Sequence, residues 1–188
     1  MALLIAGLVL FLAAHTFTTM REARAAAIGR LGEGPYKGLY SLVSGIGLVL
    51  IVWGFGRYRG DGYIPVWDPP AWLHPIALVL NWLGFVALAA AYSPAGKLKG
   101  LLRHPMLVGV KAWALAHLLV NGDLGSIVLF GAFLAWAVYD RIAAKRRGDL
   151  GAPASGITTG DAIAIVVGSL AFAAMFWLHT PIIGVPVT

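Results

Sequence analysis

Cysteine is absent from the 188-residue chain, and charged residues are scarce. Without a thiol, the chain can form no disulfide framework, no thiolate metal site and no cysteine nucleophile. Only 12% of its residues are charged, whereas soluble domains carry roughly 25% because their surfaces face water. Hydrophobic residues make up 60% of the chain, and its mean hydropathy is +0.83. We therefore expect lipid, rather than water, to be the main solvent.

Strict alternation of apolar and polar residues is also missing, which argues against transmembrane β-strands. Instead, six apolar stretches approach the roughly 20 residues that a helix needs to cross a bilayer. They cover approximately residues 3–20, 39–56, 72–92, 105–120, 124–139 and 162–179. This pattern predicts an all-α polytopic membrane bundle of about six transmembrane helices, with residues 1–188 forming a single integral membrane domain.

Basic residues are distributed unevenly among the predicted loops. The loops after spans one, three and five hold eleven Lys or Arg residues, whereas the opposite side holds only Arg57 and Arg59. Because cytoplasmic loops are enriched in Lys and Arg, both termini are expected on the non-cytoplasmic side. The first apolar run lacks the preceding positive charge of a signal peptide, so we expect it to be a retained span. The basic residues behind the net charge of +6 are then expected to set the orientation in the membrane and to contact anionic lipid headgroups. Nucleic acid is not expected as a partner.

Small residues and turn residues give local expectations. Ser41 with Gly45, and Ala164 with Gly168, are pairs four residues apart that favour close helix packing in lipid. The sequence Asn121-Gly122-Asp123 predicts a tight turn in which Gly122 has a positive φ and Asp123 caps the next helix. Residues 148–160 are rich in Gly, Ala and Ser, which predicts a flexible connection.

Ionisable groups inside predicted spans are costly in lipid and therefore suggest function. All five histidines lie in spans or at their ends, namely His15, His74, His104, His117 and His179. A solitary histidine in a span more often makes a hydrogen bond between helices than it binds a ligand, so number alone does not establish a site.

The fourth span carries the densest set of polar and aromatic residues, which comprises Arg103, His104, Lys111, Trp113 and His117. At helical spacing, His104 and Lys111 share one face, and Trp113 and His117 share another. Lys111 cannot face lipid at low cost. It either lines a polar cavity, extends towards the headgroups, or pairs with an anionic group such as a propionate or a phospholipid phosphate.

Two runs in this region resemble the NnrU family. They are Arg103-His104-Pro105-Met106-Leu107-Val108-Gly109 and Trp113-Ala114-Leu115-Ala116-His117, and they are followed by Asn121-Gly122-Asp123. The N-terminal span that bears His15 adds to the resemblance, which covers nearly the whole chain. The family comprises small membrane proteins of bacteria linked to denitrification gene clusters, and it is related to zeta-carotene isomerase of plants and cyanobacteria. The resemblance implies a multi-pass protein of the bacterial inner membrane.

The resemblance also implies a haem b site. In the isomerase, haem is understood to be held by two histidines, whose motif positions correspond here to His15 and His117. The residues then expected to bind the cofactor around the iron ligands are Arg103, His104, Lys111 and Trp113. A protein controls the reduction potential and reactivity of haem mainly through the axial ligands and a dry apolar wall. An aromatic, cysteine-free bundle can supply both.

The implied function is redox chemistry, as a haem-dependent isomerase or oxidoreductase that acts on a lipid or isoprenoid, or as a factor linked to denitrification. One residue departs from the isomerase pattern, because Ala114 stands where the isomerase has a cysteine proposed as an alternate iron ligand. The same exchange of ligands is therefore not implied here. No residue is identified as catalytic.

Three alternatives stay open at this point. Arg-His-Pro-x-x-x-Gly also resembles membrane methyltransferases that use S-adenosylmethionine, but Glu22 and Glu33, the only glutamates, both precede the motif. Those enzymes have a glutamate-rich element after it. A second alternative is a non-enzymatic accessory or sensor subunit that docks an oxidoreductase. The third is a zinc site formed by three histidines, His74, His117 and His179.

Overall fold

The structure is a computed structural model that describes residues 1–153 and 155–187. Ala154, within the connection expected to be flexible, lies outside the described residues. Helices account for the secondary structure of the described chain, which contains no named strand and one isolated bridge between Pro65 and Asp123. The helices are α1 (Ala2–Thr19), α2 (Arg21–Leu31), α3 (Glu33–Gly60), α4 (Leu73–Tyr92), α5 (Lys97–Leu102), α6 (Pro105–Val120), α7 (Leu124–Arg146) and α8 (Thr159–Ile183).

Each of the six apolar stretches forms a helix. Five of them, α1, α3, α4, α7 and α8, are long and apolar enough to cross a membrane, and α6 is an apolar helix of 16 residues. Exposed large hydrophobic side chains are numerous along these helices, as lipid contact requires. The chain is therefore an all-helical membrane protein in the residues that are described.

The basic segment after the first span, which the hydropathy pattern predicts to be a loop, contains α2. None of its eleven residues is buried. Alanine and arginine are strong helix formers, so this segment is helical without a buried apolar face. The helix ends at Gly32, whose φ of 83° favours glycine.

The described chain divides into two compact units. The first comprises residues 1–68 and 122–143, and the second comprises residues 69–121 and 144–187. In the first unit, α1 packs against α3, and glycines set their close approach. A Cβ atom at Gly7 would lie 2.6 Å from the Ile51 nitrogen, and one at Gly47 would lie 2.8 Å from the Phe11 nitrogen. By contrast, a Cβ atom at Gly45 would meet no atom within 4 Å from another helix of the described chain, so the predicted packing role of the Ser41–Gly45 pair is wrong among the described residues.

In the second unit, α4 packs against both α6 and α8. The predicted Ala164–Gly168 pair does lie in a packed region, because Ala164 is buried and a Cβ at Gly168 would lie 2.5 Å from the Val86 Cα. The indole nitrogen of Trp82 donates a hydrogen bond of 2.9 Å to Ser169, which joins α4 to α8 through polar side chains.

The turn expectations have mixed outcomes. Asp123 Oδ1 accepts a hydrogen bond from the Ser126 backbone nitrogen at 3.0 Å, which confirms its capping role at the start of α7. Gly122 is not among the glycines with positive φ, so that prediction is wrong. Its carbonyl instead accepts hydrogen bonds from the backbone nitrogens of Val66 and Trp67. These bonds hold Gly122 against the segment that follows α3.

Asp161 connects the start of α8 to α5, a contact that no local sequence pattern indicates. Its carboxylate accepts hydrogen bonds from the backbone nitrogens of Lys97 at 3.0 Å, Leu98 at 2.7 Å and Thr158 at 2.8 Å. The Thr158 side chain accepts in turn from the Gly160 nitrogen, which completes a capping box. Backbone groups at two helix starts are thus satisfied by one side chain.

Candidate functional site

His15 lies on α1 in the first unit, and its ring is held in one orientation. Nδ1 lies 2.8 Å from the backbone carbonyl oxygen of Phe11. A carbonyl oxygen can only accept, so Nδ1 carries the hydrogen and Nε2 carries the lone pair in the neutral ring. Histidines that ligate a metal typically donate their other ring N–H to a carbonyl or carboxylate in this way. The His15 ring is therefore prepared to offer Nε2 as a ligand.

Aromatic rings from three helices surround the His15 ring. Phe11 on α1 stacks on it with a centroid separation of 4.1 Å, and Tyr40 on α3 lies at 5.4 Å. Trp136 on α7 meets it edge-on at 5.6 Å. Its indole nitrogen is buried and finds no hydrogen-bond partner in the described part of the chain. The surroundings of His15 are thus aromatic, and they include the phenol ring of Tyr40 and an indole donor that lacks an acceptor.

His117 lies on α6 in the second unit and has the same local arrangement. Its Nδ1 donates a hydrogen bond of 2.8 Å to the Trp113 carbonyl, one helical turn earlier. The Trp113 and His117 rings are 5.3 Å apart. The side-chain nitrogen of Asn121 donates to the His117 carbonyl at 2.8 Å, which closes the end of α6. As for His15, the neutral ring has its lone pair on Nε2.

His104 is held differently, because its Nε2 atom is the one engaged. That nitrogen lies 3.2 Å from the backbone carbonyl oxygen of Asp149 and 4.0 Å from the Asp149 carboxylate. The connection that precedes α8 also donates from the Ala152 nitrogen to the Arg103 carbonyl at 2.8 Å. Residues 149–152 therefore fold back onto the turn before α6, whereas the sequence predicts only a flexible segment.

Arg103 occupies an unusual backbone conformation with φ 61° and ψ −58°. It is the only non-glycine residue with positive φ among those described. The His104 nitrogen donates to the Leu102 carbonyl at 2.6 Å across it, which makes Arg103 the central residue of a strained γ-turn. Its side chain is exposed. The motif Arg103-His104-Pro105 thus forms a constrained turn that begins α6.

Replacing Arg103 with glycine is expected to stabilise the protein by about 1 kcal/mol, because glycine adopts this φ without steric cost. The free energy of unfolding in detergent, measured by denaturant titration, checks this expectation. Arg103→Ala is the matched control, since it removes the guanidinium but keeps the Cβ atom. Equal destabilisation by both substitutions would show that the guanidinium contributes more than the strained turn costs.

Lys111 lies in the middle of α6 and is half-buried. It forms no ion pair with any residue that the structure describes. An ammonium group within a membrane helix is costly unless it reaches the headgroups or meets an anion. The structure therefore leaves Lys111 available for an anionic ligand.

The zinc alternative has no support from the side-chain positions. In the described chain, no group of three or more His, Asp or Glu side chains could hold a metal ion. The Nδ1 atom of His74 donates to the Ala71 carbonyl at 3.1 Å, and that of His179 donates to the Val185 carbonyl at 2.8 Å. These contacts fix the ends of α4 and α8. A porphyrin iron needs only one or two protein ligands, so this result does not bear on haem.

The methyltransferase alternative also lacks a second element. Glu22 and Glu33 are exposed residues of the first unit, and Glu33 pairs with Lys37 at 2.7 Å. The motif itself is used for packing, since a Cβ at Gly109 would lie 2.7 Å from the Leu88 side chain and 3.0 Å from the Gly84 carbonyl. The Arg-His-Pro-x-x-x-Gly pattern is therefore explained by its turn and by close helix contact.

These helices and their half-buried histidines define a multi-pass α-helical membrane protein. The family model described as "NnrU protein" matches residues 3–187, nearly the whole chain. The chain therefore belongs to the NnrU family, as the resemblance indicates. Neither a curated protein nor a solved structure matches it.

The residues that surround His15 are not indicated by any motif in the sequence. Tyr36, Tyr40 and Ser44 recur every four residues on α3, which places three hydroxyl groups on one face of an otherwise apolar helix. That periodicity is visible in the sequence and could have indicated a polar lining. Trp136 carries no such signal, because tryptophan is common in membrane helices for many reasons.

Proposed function

We propose that this NnrU family protein binds haem b, with His15 and His117 as its iron ligands. The family resemblance supplies the cofactor and the pair of histidines. The observation that supports it is the state of each ring, since both donate Nδ1–H to the carbonyl four residues earlier at 2.8 Å. That hydrogen bond leaves the Nε2 lone pair for iron, and it raises the basicity of the ligand.

The surrounding residues fit such a cofactor. Phe11, Tyr40 and Trp136 give His15 an aromatic wall, and Trp113 lies beside His117. Apolar walls exclude water and help to set the potential of a bound haem. Lys111 is the cation of α6 suited to a propionate carboxylate. His104 is already committed to Asp149, so we assign it, with Arg103, to the turn that positions α6.

The bound haem would supply one-electron redox chemistry within the membrane. Its substrate or electron partner would be a lipid, an isoprenoid or an oxidoreductase, consistent with a role linked to denitrification. Isomerisation by exchange of an iron ligand for a thiol is not part of the proposal, because the chain has no cysteine and Ala114 is fully buried.

The visible absorption spectrum of the detergent-purified protein, expressed with ample haem, tests the proposal. A Soret band that shifts on reduction, with one haem per chain by pyridine haemochrome assay, is the expected result. A colourless protein that takes up no haem in titration would refute it. Co-purification of an oxidoreductase without any pigment would favour the accessory-subunit alternative.

We also propose that the chain lies in the bacterial inner membrane with both termini outside the cytoplasm. The asymmetry of eleven basic residues against two supports this orientation. An alkaline phosphatase fusion at the C-terminus is expected to be active, and a green fluorescent protein fusion there is expected to be dark. The opposite pair of results would reverse the topology.

A further inference from the structure

Buried side chains of the first unit include four donor atoms that have no hydrogen-bond partner among the described residues, and one of them is Nη1 of Arg141 on α7. The other three are the hydroxyl groups of Tyr36 and Ser44 and the indole nitrogen of Trp136, none of which makes a hydrogen bond of acceptable geometry with a described residue, although the Ser44 hydroxyl lies close to that of Tyr40. Tyr36 is only 7% exposed. Buried polar groups in folded proteins are nearly always paired, so unpaired donors such as those of Tyr36 and Trp136 indicate a missing acceptor.

One of these three donors, Trp136, contacts the His15 ring, and the other two lie on the face of α3 that carries Tyr40. Tyr36 and Ser44 each lie four residues from Tyr40 on α3, about 6 Å along the same helix face, and Tyr40 contacts the His15 ring at 5.4 Å. Trp136 reaches the same ring from α7 at 5.6 Å. Trp136 therefore lies beside the residue that we propose as an iron ligand, and Tyr36 and Ser44 each lie about one helical turn from the Tyr40 ring that contacts it.

The chemistry of these groups specifies the acceptor. An indole N–H can only donate, and the two hydroxyl groups each have a hydrogen to give. The Arg24 guanidinium lies 5.9 Å from the centroid of the Tyr36 ring, which places positive charge at that end of the face. Donors next to a cation are suited to an anionic oxygen, because charge-assisted hydrogen bonds are the strong ones.

We infer that Tyr36, Ser44 and Trp136 donate hydrogen bonds to the propionate carboxylates of the haem. This inference rests on the proposed function and adds the residues that recognise the acidic edge of the cofactor. A phospholipid phosphate offers similar anionic oxygens. The experiment therefore compares two pigments that differ only in their carboxylates.

Haem and its dimethyl ester, which lacks ionised carboxylates, are titrated into the full-length protein in detergent. The wild type is expected to bind haem at least about tenfold more tightly than the ester, because the ester has no ionised carboxylate to accept the hydrogen bonds. Tyr36→Phe, Ser44→Ala and Trp136→Phe are each expected to weaken haem binding by about tenfold while changing ester binding little. Each substitution removes a donor and keeps most of the side-chain volume.

Matched controls come from exposed residues of the same types. Tyr92→Phe, Ser41→Ala and Trp177→Phe are expected to leave both affinities unchanged, since Tyr92 is 81% and Trp177 is 77% exposed, and Ser41 is exposed on α3. They separate loss of a buried donor from a general effect of the substitution.

The outcomes distinguish this inference from the proposed function. Equal wild-type affinity for the two pigments overturns the propionate assignment and leaves haem binding intact. Equal loss of both affinities in the variants also overturns it, because it indicates a packing role. If the variants lose co-purified phospholipid phosphorus but keep the preference for haem, the acceptor is a lipid phosphate. If the wild type binds neither pigment, both proposals fail.

Discussion

Replacing His15 with alanine is expected to remove the Soret band of the purified protein, and His117→Ala is expected to do the same. An axial imidazole supplies a bond to iron, whereas changes in residues that only orient ligands typically weaken metal binding by about 10–100-fold. Loss of the ligand itself should therefore lower haem affinity by at least about a hundredfold. Haem titration followed at the Soret wavelength gives both affinities directly.

The histidine at the start of α4 provides the matched control. His74 donates Nδ1–H to a carbonyl, as His15 does, but it belongs to no proposed site. His74→Ala should retain the band. Added imidazole should restore it in His15→Ala, because a free imidazole can occupy the space left by the side chain. A band that persists in both His15→Ala and His117→Ala would remove these residues as ligands.

The sequence predicts the helical class well because lipid imposes a simple rule on length and hydrophobicity. Each apolar stretch became a helix, since a backbone in hydrocarbon must satisfy its own hydrogen bonds. α2 was missed because its helicity comes from local propensity and not from an apolar face. The strained turn at Arg103 was missed because residues 149–152, about 45 positions later, hold it in place.

The candidate site shows the same division between local and distant effects. His15 and His117 could be selected from the sequence because histidine is rare in membrane helices and because the family motif marks them. Their ring orientation follows from a carbonyl four residues earlier, which is a local feature of any helix. Tyr40 and Trp136 reach His15 from α3 and α7, and no local pattern pairs them with α1.

Gly47→Ala is expected to destabilise the first unit by about 2–3 kcal/mol, because an added methyl group overpacks a contact between two helix backbones. The new Cβ would lie 2.8 Å from the Phe11 nitrogen and 3.0 Å from its Cα. α1 must therefore move away from α3 at Phe11. The free energy of unfolding from denaturant titration in detergent measures the cost.

The same substitution should also weaken haem binding, because the Phe11 carbonyl orients the His15 ring and the Phe11 ring stacks on it at 4.1 Å. Gly45→Ala is the matched control two residues away, where the added methyl group would meet no other helix of the described chain within 4 Å. It should leave haem affinity unchanged and stabilise α3 slightly, since alanine favours a helix over glycine by up to about 1 kcal/mol. If both variants unfold alike while Gly47→Ala keeps full haem affinity, the contact between Gly47 and Phe11 does not position His15. A loss of affinity confined to Gly47→Ala would instead link the packing of two helix backbones to the orientation of a proposed iron ligand.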